Sequence, residues 1–399
     1  MSVRAEPAVA KVSPFYDPRV RGFVYQALLI GTLGWLLYEA AANAAANMRA
    51  RNIPTNFDFW NKTSGFDINF TLVPYSAQST FGDAFWVGLW NTLLVAAVSV
   101  VFATLLGFAV GIARLSTNWL VAKAAAIYVE SLRNIPLLLQ LLFWYNAILK
   151  PLPNVRESLV IPGLFGAPFA YLNNRGLILP EPKFGPGFAW TAAAFALGVA
   201  LTAAFAVWAA RAQRLTGAQK PVGLVGLAFV VGLPLIAFFA AGQPLTLDYP
   251  VLRGFNFAGG ARVLPELVAL ALGLVLYTAT FIAEIVRSGI QSVAVGQSEA
   301  ARALGLGTKP MLRLVIIPQA MRVITPPLTN QFLNIVKNST LAVFVGYPDL
   351  VSVFAGSVLN ITGAAVQIIL ATMAVYLVIS LLTAAVMNAW NNRAMIRER

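Results

Sequence analysis

Residues 299–319 read EAARALGLGTKPMLRLVIIPQ. The stretch carries Glu299, Arg302, Lys309 and Arg313 in a chain of 399 residues that is 59% hydrophobic and only 11% charged. It is too polar to cross a bilayer and too regularly patterned to be slack linker. Ser298 is a suitable N-cap, which would put Glu299 in the first helical turn, where the helix dipole favours an anion. Ala300 to Leu304 are strong helix formers. Gly305 and Gly307 end that helix and permit a left-handed turn. Thr308 can cap a second helix with Pro310 in its first turn, and Pro318 is expected to stop the apolar run that follows. The reading is a short helix, a glycine turn and a second helix, with a basic rim of Arg302, Lys309 and Arg313.

The surroundings of this element fix the fold class. A soluble domain has about 25% charged residues, and long apolar runs recur here. The chain is therefore expected to be an all-α polytopic membrane protein; there is no alternating barrel pattern of roughly ten-residue segments. Lys and Arg number 28 against 15 Asp and Glu, a net +13. In such a chain the excess marks cytoplasmic loops and contact with anionic lipid rather than nucleic acid. Without Cys or His, thiol catalysis, His-based triads and Cys/His metal sites are excluded, and no metal site or catalytic residue is assigned. The first 20 residues lack an apolar core, so no cleaved leader is expected.

About eight spans are expected: 22–42, 85–113, 124–149, 189–210, 221–241, 263–290, one between 326 and 361, and 363–387. Glu130 and Arg133 fall in the first turns of the third. With both termini cytoplasmic, the inner loops 1–21, 114–123, 211–220, 291–325 and 388–399 hold 16 Lys and Arg, and the longer outer loops 43–84, 150–188 and 242–262 hold 9. That bias follows the positive-inside rule and puts residues 299–319 in the cytoplasm. The span between 326 and 361 has no run of about 20 apolar residues. Its Asn330, Gln331, Asn334, Lys337 and Asn338 can lie at membrane depth only against protein or a watery path. The competing reading makes its first part an inner-face helix.

The pattern Glu299-Ala300-Ala301, three residues, Gly305, twelve residues, Pro318 resembles the "EAA" loop of ABC importer permeases. LWNTLLVA (89–96), ESLRNIPLLLQLLFWY (130–145), TATFIAEIVRSGIQSVAVGQSEAARALG (278–305), PQAMRVITPPLTNQ (318–331) and KNSTLA (337–342) resemble the polar amino-acid permeases of that family. The enlarged layout is most similar to permeases of general L-amino-acid or glutamate/glutamine/aspartate/asparagine importers. The resemblance implies a five-helix type I importer core with extra helices. It divides the chain into an N-terminal tail, extra span and outer loop (1–84), the first part of the core (85–149), an inserted region (150–262) and the second part of the core (263–399), with a coupling loop at 291–325. Glu299, Ala300, Ala301, Gly305, Gly307 and Pro318 would dock on an ABC ATPase subunit. Other implied partners are a second, related permease, a periplasmic amino-acid-binding protein, an L-amino acid and membrane lipid, all at a bacterial inner membrane.

The chain has no G-x-x-x-x-G-K-[ST] phosphate loop, so ATP and Mg would sit on the partner ATPase, with no cofactor and no enzyme site in this chain. A zwitterionic substrate needs a cation or amide donors for its carboxylate and a carboxylate or carbonyls for its ammonium. Arg133, Gln140, Glu284, Arg287 and Lys337 are the candidates. Glu130/Arg133 and Glu284/Arg287 each stand three residues apart on one helix, so each pair either neutralises itself near the inner face or serves the pocket. The resemblance places Glu284 beside the pocket. Asn134-Ile135 stand where the family has Gly-Thr; Pro136 can still break the helix there. An ion-gradient-driven secondary transporter or channel is the alternative, since intramembrane charges and broken spans fit it too.

Overall fold

The computed structural model describes residues 18–50, 53–54, 56–163 and 168–394; the reading of the first residues as lacking a leader falls largely on 1–17, outside them. Among the described residues six helices are long and apolar enough to cross a membrane: within α1 (Pro18–Ala50), α2 (Phe81–Ala113), α5 (Phe188–Thr216), α6 (Val222–Ala240), α7 (Pro265–Gln291) and α11 (Ala365–Ala394). A bent pair, α3 (Trp119–Arg133) and α4 (Leu137–Leu149), makes a seventh if counted as one span. Apolar residues all round such helices, rather than one stripe, are what lipid-facing segments require. Of the eight expected crossings, the one between 326 and 361 is not among these: Ile317–Asn338 is too polar and Val351–Thr362 too short.

Two of those crossings differ from a straight helix. The third is broken by 102° between its arms. Pro136 lacks an N–H and disfavours helical backbone at Ile135, so the chain stops at Arg133 and restarts at Leu137. Glu130 and Arg133 therefore end the first arm instead of opening a straight crossing. The seventh starts earlier than expected: a turn at Thr308–Met311, a π-helical stretch at Leu312–Ile316 and α9 (Ile317–Asn338) follow without a gap. Pro318 does not stop this run. It sits in the first turn of α9, just past the wide π turn in which the Ile317 N–H reaches back to Leu312 O, so its missing donor and its ring are accommodated. After α9 come a 3-10 segment (Ser339–Phe344), a left-handed Gly346 (φ 78) and α10 (Val351–Thr362).

The chain divides into two compact units. One combines residues up to Leu89 with Leu350–Val378. Its core is aromatic: Phe354 meets Phe85 edge-on at 5.1 Å and lies 6.4 Å from Phe59, and Trp60 lies 5.2 Å from Phe85. Gly82 is needed at the head of α2, because a Cβ there would sit 2.4 Å from the Trp60 indole nitrogen. Thr80 and Asp83 exchange hydrogen bonds as a capping box, which fixes where α2 begins. Burial and its neighbours push the Tyr75 hydroxyl above its ordinary pKa while it donates to Ser64.

The other unit spans Trp90–Asp349 and Ile379 onward, and α7 is its hub. Gly107 and Gly111 of α2 approach α7 so closely that a Cβ would lie 2.5 Å from Ile282 Cβ and 2.8 Å from Ala283 O. Gly273 of α7 admits Leu141 of α4, and Gly289 admits Ile324 of α9. Small residues at such seams replace the hydrophobic drive that lipid removes. The expected outer loops 150–188 and 242–262, on either side of the α5–α6 hairpin, carry eight short strands among the described residues. Strands β1 (Leu159–Pro162), β2 (Pro168–Asn173), β3 (Gly176–Leu179) and β8 (Ala261–Val263) form one antiparallel sheet in that order. Strands β4 (Glu181–Phe184) and β5 (Leu245–Asp248) pair directly across the base of the hairpin, and β6 (Val251–Arg253) pairs with β7 (Asn256–Ala258). Short strands with Pro and Gly at their ends give weak periodic signals, which is why sequence patterning shows only a loop.

Candidate functional site

The short polar element of residues 295–319 folds as two pieces on the end of α7. Helix α8 runs Val295–Ala303 with Ala294 as N-cap. Ser298 lies inside it rather than capping it, because the chain turns helical one step beyond Ser292–Ala294, where the Gln297 N–H reaches Ala294 O at 2.9 Å. Glu299 is therefore mid-helix. Gly305 takes the left-handed turn (φ 77), while Gly307 is extended. Ala301 is buried with Met311 and Ile316 against Ile290 and Val293, whereas Glu299 and Ala300 face outward. Gln319 donates to Gln297 at 3.2 Å and ties α9 to the same element. The outward face, with Val295 at 72% and Leu304 at 81% exposure, is uncovered among the described residues.

Behind this element is a cluster of charges. Glu284 accepts from Arg287 three residues on and from Arg114 at the end of α2. Arg287 also donates to Gln291 at 2.7 Å. Arg114 comes within 4.0 Å of Glu130, and Arg133 lies over the Phe281 ring at 5.0 Å instead of pairing with Glu130. The sequence reading names Glu284 and Arg287 but misses Arg114, which ends an apolar helix as if it were a loop residue. The Gly107/Gly111 seam delivers it: only a close α2–α7 approach lets the guanidinium reach Glu284.

Gln140 is 4% exposed and spans the break between α3 and α4. Its amide nitrogen donates to Leu132 O at 2.8 Å and Ile135 O at 3.0 Å, carbonyls at the interrupted helix end. Its Oε1 is buried without a hydrogen-bond partner among the described residues. Lys337 is exposed on α9, apart from the Glu284 cluster. It continues a stripe of exposed residues, Pro326, Pro327, Asn330 and Asn334, at helical spacing. Pro326 and Pro327 also leave the carbonyls of Arg322 and Val323 without their helical donors. The five candidate substrate residues are thus split among a charge cluster (Glu284, Arg287), a stacked cation (Arg133), a helix clamp (Gln140) and an open polar face (Lys337).

Residues 224–397 match the family described as "Binding-protein-dependent transport system inner membrane component". YhdX of Escherichia coli, named as an amino-acid ABC transporter permease, is 47% identical over 96% of this chain and 97% of its own length. The general L-amino acid transport system permease protein AapQ of Rhizobium johnstonii is 45% identical over 97% of this chain and 95% of its own. The glutamate/glutamine/aspartate/asparagine transport system permease protein BztB of Rhodobacter capsulatus is 38% identical over 96% of each. These alignments run almost end to end and take in the inserted strands and hairpin as well as the core. The chain belongs to the amino-acid ABC transporter permeases, the membrane components of binding-protein-dependent transport systems.

Proposed function

We propose that this permease lines half of the path of an L-amino-acid importer in a bacterial inner membrane, with both termini cytoplasmic and with a related but different permease as the other half. The observation that carries this is the α9 stripe. Asn330, Asn334 and Lys337 are exposed on α9, with Lys337 in its last turn; if α9 crosses the bilayer, polar side chains on a lipid-facing surface are unfavourable, by about 2.5–3.5 kcal/mol for a charge at the helix centre and by less toward its end. Such a face needs a watery path or a second subunit. Extra elements absent from the five-helix core, residues 1–84 and 150–262, favour an unlike partner over a second copy. An external binding protein would deliver substrate.

The core, 85–149 with 263–399, then has two working ends. The α8 element, through Glu299, Ala300, Gly305 and its basic rim, docks on an ABC ATPase that holds ATP and Mg. Ala301 and Pro318 act from behind, the first by packing α8 onto α7 and the second by setting the start of α9. Closing of the ATPase pair draws the docking elements together and tilts the helices joined to them; its differential contacts in the two states supply the bias. Within the path, Lys337 is the cation for a substrate carboxylate and Gln140 Oε1 a buried acceptor. Glu284 and Arg287, held by Arg114, and Arg133 over Phe281 set the inner ends of the helices. The test is uptake by the whole complex in proteoliposomes. ATP-dependent uptake of L-amino acids is expected, and Glu299→Lys or Gly305→Pro should leave the complex assembled in the membrane but separate ATP hydrolysis from uptake. Undiminished uptake without ATP, driven by an ion gradient, would sink the proposal.

A further inference from the structure

The inserted strands build a second surface with its own chemistry. Helix α7 starts two residues after β8 and ends four residues before α8. Its 27 residues span about 40 Å at 1.5 Å each, enough to cross the bilayer. The strand module and the ATPase-docking element therefore lie on opposite membrane faces. If α8 meets the ATPase, the strands face the outside, where a substrate-delivering protein arrives.

Two adjoining crevices open on this module. One, of about 370 Å³, is bordered by Arg156, Glu157, Arg175 and Phe255; the other, of about 320 Å³, by Arg175 and Arg262. Arg175 belongs to both. The turn that carries it is rigid. Buried Asn173 accepts from the Arg175 backbone N–H at 2.8 Å and donates to Ser158 at 2.9 Å. Gly176 at φ 122 leaves no room for a Cβ, which would lie 2.1 Å from Val263 O. The Arg175 side chain is steadied by Asn256, and Arg156 stacks over Phe255 at 3.8 Å with that ring still 71% exposed. The nearby Lys183 is already taken: its hydrogen bond to Asp248 raises its pKa above the ordinary value. Three guanidiniums against the single carboxylate of Glu157 remain at the mouths. Arginine held flat on an exposed aromatic, on a preformed turn, is the side-chain chemistry of interface hot spots. Spread over two crevices, it suits several carboxylates on a protein surface better than one small anion.

We propose that these crevices dock carboxylate side chains of the external binding protein that supplies this importer. The inference rests on the importer reading above. The test uses the complete permease–ATPase complex in nanodiscs and the purified binding protein of the same system, with ATPase activity followed against binding-protein concentration at several salt concentrations. In the Arg175→Glu/Arg262→Glu variant the half-saturating concentration should rise about tenfold or more, with a shallower salt dependence. Basal hydrolysis and the stimulated maximum should be unchanged. Arg262→Glu alone, at an exposed strand position, should give a smaller shift in the same direction and guards against misfolding of the double variant. Unchanged half-saturation and salt dependence in both would overturn the docking site and leave the importer reading intact. Loss of the effect when free glutamate competes at millimolar concentration would make this a small-anion site, and a shift that follows anionic lipid content instead of binding protein would make it a headgroup site; either overturns the proposal. A wild-type complex that ignores the binding protein altogether overturns both readings.

Discussion

Helices α7 and α9 lie side by side in one compact unit, share the Ile282–Val286–Ile324–Leu328 cluster, and treat polar groups in opposite ways. α7 is packed on three sides through Gly273, Gly289 and the two glycines of α2, and its Glu284 and Arg287 are paired within the chain. α9 buries Ala320, Ile324, Leu328 and Ile335 on one face and leaves Asn330, Asn334 and Lys337 open on the other. Each ionised group at membrane depth must have a partner or a route to water. α7 finds its partners inside the chain. Lys337 on α9 has none among the described residues, which leaves its exposed face open to the assembly and substrate proposed above. The contrast can be broken by changes aimed at one helix at a time.

The largest effect should come from filling the α2–α7 seam. Gly111→Leu forces side-chain atoms into Ala283 O and Val286, and overpacking of this kind is destabilising by about 3 kcal/mol. Gly34→Leu on α1, where a Cβ meets nothing within 4 Å, is the matched control. Thermal unfolding of the detergent-purified complex should show a lowered midpoint for the first and little change for the second. Equal midpoints would mean that α7 yields at this seam and is not a rigid partner of α2.

The next effect is at the charge cluster. Arg114→Ala leaves Glu284, whose side chain is 29% exposed, with Arg287 alone. Discounted for that exposure, the loss should be about 1–2 kcal/mol. Glu284→Gln in the Arg114→Ala background should restore part of it, because the carboxylate left short of a partner is then gone. A double-mutant cycle on unfolding midpoints reads the coupling; a coupling of zero would show that the two side chains act independently.

What could be read in advance follows the same division. The apolar runs, the Pro136 break and the glycine turn at Gly305 are local features, and they stand in the sequence at their own positions. Arg114 is different: its role depends on Gly107 and Gly111 bringing α2 against Ile282 and Ala283, a pairing across about 170 residues that no local pattern carries. The Ser298 cap and the Pro318 stop are misread for a related reason. Both residue types favour helix boundaries in isolation, but docking of Ala301, Met311 and Ile316 onto Ile290 and Val293 sets the start of α8, and a π turn absorbs Pro318. Strands β1 to β8 are three to six residues long, too short for alternation to separate them from loop.

Gln140 sharpens the comparison at the break between α3 and α4. Gln140→Leu keeps the volume but removes both donations to the part-buried carbonyls Leu132 O and Ile135 O, of which Leu132 O keeps backbone donors, and should lower stability by about 1 kcal/mol. Gln140→Glu, ionised, cannot donate either but retains acceptor oxygens. If Gln140 is a clamp alone, both variants lose stability and keep the substrate KM of uptake. If Oε1 also meets the substrate ammonium, Gln140→Leu alone raises KM.

The smallest effect on stability, and the most telling for function, belongs to Lys337. Its side chain is exposed and makes no ion pair among the described residues, so Lys337→Met should shift the unfolding free energy by about 0.5 kcal/mol or less. Uptake should nevertheless fall sharply, because the cation proposed to meet the substrate carboxylate is gone. Lys337→Arg, which keeps the charge on a wider, flatter head, should recover part of it. The decisive measurement is the ratio of the two losses, transport against unfolding midpoint. A variant that loses both together would place Lys337 with the paired residues of α7. One that loses transport alone keeps α9 as the open side of the molecule, and makes its polar stripe the surface on which the missing half of the path is completed.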